Sequence, residues 1–403
     1  MPTLKIEVED LAPGMYVTEL DRAWLDTPFP TQGFPINGDK DLAELRSLCK
    51  FVYIDPERAA PALKGTNRRK SAGPEALMAE SATVHTDALA MEQEMASAKE
   101  AHSKVTAAIQ EYLEAARLGK KVDLPSIERS IATLVSSILR NPDAMMWLLR
   151  FKKHGDYLYS HAVNSSILGA AFGRHLGLPK RDLEHLALGA ALFDAGKTKL
   201  PKELLEKPGR LTAEEFELVK GHVQNGAQLL QKSGELPGPV LELIEAHHER
   251  FNGSGYPHGL SGGKIPLFGR MIAIVDCYDA ITTDRPYARA ISGHEAIRRL
   301  YDWRDSDFQD ELVEQFIQTL GVYPTGTLVE LSTGEVGIII SQNRIRRLRP
   351  RVMVVLDTNK VSYDAAPIVD LLEETKDKDG NPLDIVATLE PGSYGVRPDE
   401  FYL

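Results

Sequence analysis

The sequence contains little cysteine, no long hydrophobic run and no excess of positive charge, and each absence excludes a class of protein. Cys49 and Cys277 are its only cysteines, and their wide separation fits neither a metal-ligand motif nor an expected structural disulfide. No stretch approaches the roughly 18 uninterrupted apolar residues of a membrane helix, so no membrane association is expected. The net charge of −11 repels polyanions, which makes nucleic acid a poor partner.

The length of 403 residues allows two or three domains, and the fractions of 43% hydrophobic and 26% charged residues are ordinary for a globular protein. Residues 1–9 alternate charged and apolar side chains and lack the apolar core of a signal peptide, which predicts a cytoplasmic location. A small phosphodiester stays compatible with this acidic chain, because a few basic residues and metal ions can locally outweigh the overall field.

Both ends of the chain are predicted to be β-rich. In the N-terminal domain, residues 1–60, Thr3–Val8 and Met15–Leu20 alternate in polarity and Phe51–Ile54 is a compact β-like run. The C-terminal unit, residues 325–403, has a hairpin signal at Asp379-Gly380. Its predicted strands are Leu328–Leu331, Val336–Ser341 and Val352–Leu356.

The middle of the chain is predicted to be helical. Residues 61–149 form a linker and a helical connector, with the Pro, Gly and basic residues of an exposed linker at 56–74. A long helix over 75–118 could connect domains or pair with a copy of itself, which leaves a homodimer open. Asn141 and Pro142 then supply the cap and the first-turn proline of another helix.

Residues 150–324 have almost wholly helical periodicity and form the predicted central domain. Thr212 and Glu215 make a capping box that opens the helix carrying His222. The predicted fold is therefore mainly α, an all-helical domain flanked by small β-rich units.

Histidines concentrate in this helical domain. Eight of the eleven in the chain lie between residues 154 and 258. His247 and His248 close an apolar helix and run into the sequence Glu249–Pro257, whose glycines permit a tight turn close to a ligand. A lone histidine on a helix is most often structural, but this concentration favours a site.

Two aspartates accompany the histidines. Asp194 ends one apolar helix, with Lys197 three residues later, and Asp276 lies inside another. A buried carboxylate needs a cation or hydrogen-bond donors, because leaving it unpaired is costly. Imidazoles and carboxylates together suit Fe, Mn or Zn with open positions for water and substrate. These residues indicate a hydrolase site with two metals.

The run from His161 to Tyr287 resembles the HD-GYP family of bacterial cyclic di-GMP phosphodiesterases, a branch of the HD superfamily. The β-rich N-terminus resembles a domain that often precedes HD-GYP units and implies no defined ligand. The matching stretches of the central domain are His161–Asn164, Asp194–Lys197, Lys207–Thr212, His222, His247–Pro257, Ile265-Pro266, Asp276–Ala280 and Asp284–Tyr287.

The resemblance implies two divalent metal ions, Fe or Mn, bridged by Asp194. One ion would also bind His161 and Asp276, and the other would bind His222, His247 and His248. Tyr157 stands where some members carry a glutamate that supports a third metal, so two metals are expected.

The implied reaction is hydrolysis of cyclic di-GMP to linear pGpG and onward to GMP. Asp194 and Lys197 would be catalytic, with Lys197 stabilising charge on the phosphoryl oxygens. Arg285 would bind a phosphate through its bidentate guanidinium group. The loop residues Gly255, Tyr256 and Pro257 would contact the dinucleotide or a partner protein of cyclic di-GMP signalling.

The family takes its name from a His-Asp pair, whereas this chain has Phe193-Asp194. Phenylalanine offers no lone pair, so one metal site is expected to be weak. Three functions stay open: an active phosphodiesterase with a weakened site, a non-catalytic receptor or protein-interaction module, and a broader phosphohydrolase of mononucleotides. The Gly255-Tyr256-Pro257 loop argues against the third function.

Overall fold

In a computed structural model of the chain, the described residues are 4–12, 15–21, 34–36, 38–54, 83–120, 123–149, 157–283, 290–304, 306–343 and 346–401. Contacts divide the chain into two compact units, residues 1–71 with 344–348 and residues 72–343 with 349–403. Across the described ranges, no helix combines the length and the apolar character needed to cross a membrane.

The first unit contains a four-stranded antiparallel sheet in the order β1-β4-β2-β3. The side chains of Val17, Leu45 and Val52 are fully buried in a core of its own. The three predicted strands agree with the structure to within two residues at each end. Its elements are β1 (Leu4–Glu7), β2 (Tyr16–Leu20), β3 (Phe34–Pro35), α1 (Asp39–Leu48) and β4 (Phe51–Ile54).

The second unit begins with a helical connector. The predicted helix over 75–118 is wrong at its start, because residues 83–90 are not helical. The backbone amides of Ala88 and Leu89 donate to the carbonyl of Arg140, and the Gln93 side chain caps the first turn. Residues 75–82 and the basic cluster of the linker lie outside the described residues. The connector helices are α2 (Met91–Arg117), α3 (Leu124–Arg140) and α4 (Pro142–Leu148).

The central domain is helical, as predicted. The capping box of Thr212 and Glu215 is present. It opens α8, however, which ends before Gly221, and His222 begins the next helix; the prediction of a single helix there was wrong. The helices are α5 (Tyr157–His175), α6 (Lys180–Leu192), α7 (Lys202–Leu205), α8 (Ala213–Lys220), α9 (His222–Ser233), α10 (Gly238–Ala246), α11 (Leu267–Thr282), α12 (Gly293–Asp302) and α13 (Asp310–Leu320).

The chain continues into a five-stranded antiparallel sheet in the order β8-β7-β6-β5-β9. Alternate residues point to opposite faces. Ile338, Ile340 and Met353 join the helical core, whereas Ile339 and Val352 belong to a small core on the other face. The strands are β5 (Leu328–Leu331), β6 (Val336–Ser341), β7 (Arg351–Leu356), β8 (Ile368–Asp370) and β9 (Ile385–Leu389), which confirms the mainly α fold with β-rich flanking units.

Candidate metal centre

Asp194 lies at the centre of a buried cluster of histidines. It follows α6 directly, and its Oδ1 is 3.3 Å from Nε2 of His222 and 3.8 Å from Nε2 of His247. Its Oδ2 is 3.7 Å from Nε2 of His161. The side chains of Asp194, His222, His247 and His248 offer ligand atoms that all lie within 4.8 Å of one another. Together with His161, these residues come from four separate segments, so the fold alone brings them together.

Asp276 completes the cluster from α11. Its Oδ1 is 3.0 Å from Nε2 of His161, and its Oδ2 is 3.8 Å from Nδ1 of His248. All six residues predicted as metal ligands therefore meet in one place. The cluster can hold metal, because it combines carboxylate oxygens and imidazole nitrogens in a buried setting.

The two innermost imidazoles have their tautomers set by the backbone. Nδ1 of His222 lies 2.6 Å from the carbonyl of Val219, and Nδ1 of His247 lies 2.7 Å from that of Ile244. A carbonyl only accepts hydrogen bonds, so Nδ1 of each neutral ring must carry the proton. Both Nε2 atoms then present lone pairs to the cluster, as a metal ligand requires.

These lone pairs lack a hydrogen-bond donor. The two Nε2 atoms of His222 and His247 are 3.2 Å apart, and the buried Oδ1 of Asp194 has no hydrogen-bond partner. Three acceptors thus converge without a proton between them, which is costly in a buried site. A divalent cation is the group that this arrangement fits.

The charges of the site respond to burial and to one another. Burial lowers the pKa of His247 to about 3, so this imidazole is neutral. Burial also opposes the charge on His161, but hydrogen bonds to Asp276 and Asp279 outweigh it and raise the pKa of His161 to about 9. Burial likewise opposes ionisation of Asp194, yet the ammonium group of Lys197 holds its pKa well below the usual range.

Asp279 contacts the cluster, although it was not among the predicted site residues. Its Oδ2 lies 2.7 Å from Nδ1 of His161, and its Oδ1 accepts a hydrogen bond of 2.8 Å from the Asn164 amide. Asp279 therefore orients His161 so that Nε2 faces Asp194 and Asp276. Its spacing of three residues from Asp276 on one helix places both carboxylates on the same face, which was a usable signal.

Phe193 faces the cluster. Its ring centroid lies 5.4 Å from that of His161 and 4.8 Å from that of His247, and only 1% of the residue is exposed. Tyr157 stacks on the outer face of His161, with centroids 5.1 Å apart and planes at 15°. Both aromatic rings therefore contact histidines of the cluster, and neither ring could supply a ligand to a cation bound there.

The loop after His248 is held against the site. Tyr256 packs on the ring of His248 with centroids 4.7 Å apart. A Cβ on Gly255 would lie 2.5 Å from the His248 carbonyl oxygen, so only glycine allows the loop to approach so closely. The buried carboxylate of Glu249 accepts from the amides of His258 and Leu260, at 2.7 and 2.9 Å, on either side of Gly259. Pro257 lies between Tyr256, which packs on His248, and His258, whose amide donates to Glu249.

Lys197 connects the cluster to the surface. Its Nζ is 2.6 Å from Oδ2 of Asp194, and it also lines a cavity of about 880 Å³. Tyr157 lines the same cavity and stacks on His161, so the cavity opens beside the cluster of histidines and aspartates. Arg285, the predicted phosphate ligand, lies outside the described residues.

Comparison with known families gives one match for each of three successive parts of the chain. A family model described as an HD domain matches residues 151–312. A domain of unknown function (DUF3391) matches residues 3–126, and a KOW domain associated with HD domain matches residues 328–376.

Curated relatives match the central domain or the whole chain. A cyclic di-GMP phosphodiesterase of Pseudomonas aeruginosa, PA4108, is 35% identical over 91% of this chain and 88% of its own length. The cyclic di-GMP phosphodiesterase response regulator RpfG of Xanthomonas campestris is 38% identical over 36% of this chain and 38% of its own. A 3'3'-cGAMP-specific phosphodiesterase of Vibrio cholerae is 33% identical over 35% of this chain and 27% of its own. With its HD-domain match and its Gly255-Tyr256-Pro257 loop, the chain belongs to the HD-GYP family of the HD superfamily.

Proposed function

We propose that this protein is a metal-dependent phosphodiesterase that hydrolyses cyclic di-GMP to linear pGpG, with GMP as a further product. The observation that carries the proposal is the buried cluster around Asp194, in which the unpartnered Oδ1 of Asp194 faces the Nε2 atoms of His222 and His247. The similarity to PA4108 along almost the whole chain supports cyclic di-GMP as the substrate.

The cluster divides into two groups of ligands for two ions, Fe or Mn, with Asp194 shared between them. When bound, such ions make hydroxide available at neutral pH and neutralise phosphoryl charge. One group is His161, Asp194 and Asp276; the other is Asp194, His222, His247 and His248. The first group is the weaker, because Phe193 adds no ligand to it.

The remaining proposed roles fall to Lys197, to the loop after His248 and to Arg285. Lys197 stabilises the negative charge that develops on the phosphoryl oxygens, since its ammonium group reaches both Asp194 and the cavity. Gly255, Tyr256 and Pro257 form the rim that contacts the dinucleotide. Arg285 binds a phosphate of the substrate.

A catalytically inert receptor for cyclic di-GMP is the second candidate, and Phe193 is the observation that favours it. The ring of Phe193 fills the space between His161 and His247, where a side chain with a lone pair would complete the first ligand group. Such a protein would bind the nucleotide, or a partner protein of the same signalling system, without turnover.

The deciding experiment loads the purified protein with Fe(II) or Mn(II) under anaerobic conditions and follows cyclic di-GMP products by chromatography, with metal content per chain. We expect linear pGpG as the product. Asp194→Ala should lose product and metal from both groups, whereas Asp302→Ala, an exposed carboxylate, should lose neither. Nucleotide binding without product under any metal would establish the receptor instead, and full metal content in Asp194→Ala would refute the ligand assignment.

The wider organisation of the protein is also a proposal. We divide it into a β-rich domain at 1–60, a linker and connector at 61–149, the catalytic domain at 150–324 and a β-rich unit at 325–403. The family matches at 3–126, 151–312 and 328–376 support this order, though the first extends into the connector. A cytoplasmic location, signalling partners and a homodimer belong to the same proposal.

A further inference from the structure

The cavity beside the metal cluster has the size and the charge of an anion-binding pocket. Its volume of about 880 Å³ lies in the range of small-molecule sites. Five of its lining residues are basic and one is acidic, although the whole chain has a net charge of −11. The basic residues are Arg117, Lys197, Lys202, Lys207 and Arg210.

Three of these cations are already paired. Lys197 contacts Asp194 at 2.6 Å, Lys202 contacts Glu206 at 3.4 Å and Lys207 contacts Glu215 at 2.6 Å. Within the part of the chain that the structure describes, no carboxylate pairs with Arg117 or Arg210. These two guanidinium groups are therefore free to bind an anion in the cavity.

Arg117 comes from outside the catalytic domain. It is the last residue of the connector helix α2, which precedes the HD-domain match. Nζ of Lys199 donates a hydrogen bond of 2.6 Å to the carbonyl of Ala116, and the Tyr159 hydroxyl bonds to the Glu114 carboxylate. Lys199 belongs to the same short turn as Lys197, so the end of α2 is held beside the catalytic lysine.

We propose that the connector helix is part of the substrate site and that Arg117 binds the phosphodiester that is not cleaved. The inference rests on the proposed function, which places one phosphodiester of a cyclic dinucleotide at Asp194 and Lys197. The second phosphodiester of the same ring then lies in the cavity, away from the cluster, and needs a cation of its own. An arginine suits this role, because its planar guanidinium binds two phosphate oxygens at once.

The test compares a substrate with two phosphodiesters, cyclic di-GMP, and one with a single phosphodiester, bis(p-nitrophenyl) phosphate. Arg117→Gln should raise KM for cyclic di-GMP about tenfold, the effect of losing one charged hydrogen bond, with kcat unchanged. The same variant should hydrolyse bis(p-nitrophenyl) phosphate at the wild-type rate. For Arg117→Lys, the KM for cyclic di-GMP should lie between the values of the wild type and of Arg117→Gln. Arg129 is an exposed arginine of α3 that does not line the cavity, so Arg129→Gln should match the wild type for both substrates.

The inference is overturned if Arg117→Gln leaves KM for cyclic di-GMP unchanged. It is equally overturned if both substrates lose rate to the same extent, since Arg117 would then act through the metal cluster or the fold. If the wild type cleaves neither substrate, the proposed function fails on its own, and calorimetric titration with cyclic di-GMP tests the inference. A tenfold weaker Kd in Arg117→Gln would support it, and an equal Kd would refute it.

Discussion

Phe193 stands where the HD-GYP family has the histidine of its His-Asp pair, and its ring lies against the rings of His161 and His247. A histidine at this position would add a nitrogen to the ligand group that has the fewest imidazoles. We predict that Phe193→His increases metal affinity by at least about tenfold, with a matching rise in rate, as for other changes in the ligand environment of a metal. Metal content per chain after dialysis against a weak chelator measures the effect.

Phe193→Leu is the matched control, because leucine is apolar and offers no ligand. It should leave metal content at or below the wild-type value. A rise of equal size in both variants would mean that relief of crowding, and not a new ligand, strengthens the site. No change in Phe193→His would mean that the imidazole turns away from the cluster.

Asp279 acts on the metal site through His161. Its two oxygens accept from Nδ1 of His161 and from the amide of Asn164. An asparagine has one acceptor oxygen, so Asp279→Asn must lose one of these bonds and also the negative charge that makes His161 a better ligand. We predict a loss of metal affinity of about 10- to 100-fold. Titration of the metal-free protein with Mn(II) measures it, and equal affinity in Asp279→Asn and in the exposed control Asp302→Asn would contradict the assignment.

The predicted ligands could be identified from the sequence, because each belongs to a motif of residues that are close together along the chain. The contact between Asp279 and His161 could not, since it joins residues 118 positions apart and depends on how α11 packs against α5. The direction of the Phe193 side chain was equally inaccessible. A sequence shows that a ligand is missing at this position, and packing decides what fills the space.

At the scale of elements, the site depends on the close approach of a turn and a helix. The turn Ala195–Lys199 follows Asp194, and α9 begins with His222. A Cβ on Gly196 would lie 1.9 Å from the carbonyl oxygen of His222 and 2.5 Å from the amide nitrogen of Gly226. Both are backbone atoms, so the clash could not be relieved by the movement of a side chain. The turn and α9 would have to move apart.

We therefore predict that Gly196→Ala lowers metal content and stability together, since it moves His222 away from Asp194. Overpacking of this kind typically costs about 1–3 kcal/mol. Thermal unfolding and metal content measure the two effects. Gly238→Ala is the control, because a Cβ there meets nothing within 4 Å. Wild-type metal content in Gly196→Ala would show that the turn can shift without disturbing the ligands.

The limits of helix prediction have a physical cause in this chain. The periodicity of α2 was readable and its end was predicted to within one residue, but its first residue was not, because the carbonyl of Arg140 accepts hydrogen bonds from the backbone amides of Ala88 and Leu89. These tertiary hydrogen bonds override the local preference of residues 83–90 for a helix. The boundary at Gly221 was not readable either, because the backbone keeps right-handed helical angles there although α8 ends at Lys220 and α9 begins at His222.

At the scale of the molecule, one hydrophobic core joins parts that the sequence divides. Trp147 of the connector, Phe172 of the catalytic domain and Ile338 of the C-terminal sheet belong to the same buried cluster. An ion pair of 2.7 Å between Arg351 and Glu92 adds a contact between β7 and α2. The N-terminal sheet has a separate core. The C-terminal unit is therefore a structural part of the catalytic unit.

Two truncations test this difference. Removal of residues 1–71 should leave the Tm and the metal content of the remaining chain unchanged, because it takes away a core that packs on itself. Removal of residues 325–403 exposes the apolar surface that Ile338, Ile340 and Met353 cover. Losing the burial of two or three such side chains costs about 5 kcal/mol, which lowers the Tm by roughly 10 °C or more. Differential scanning calorimetry on both truncated proteins measures this, and a C-terminal truncation that melts at the wild-type temperature would show that the β-rich unit is an independent domain.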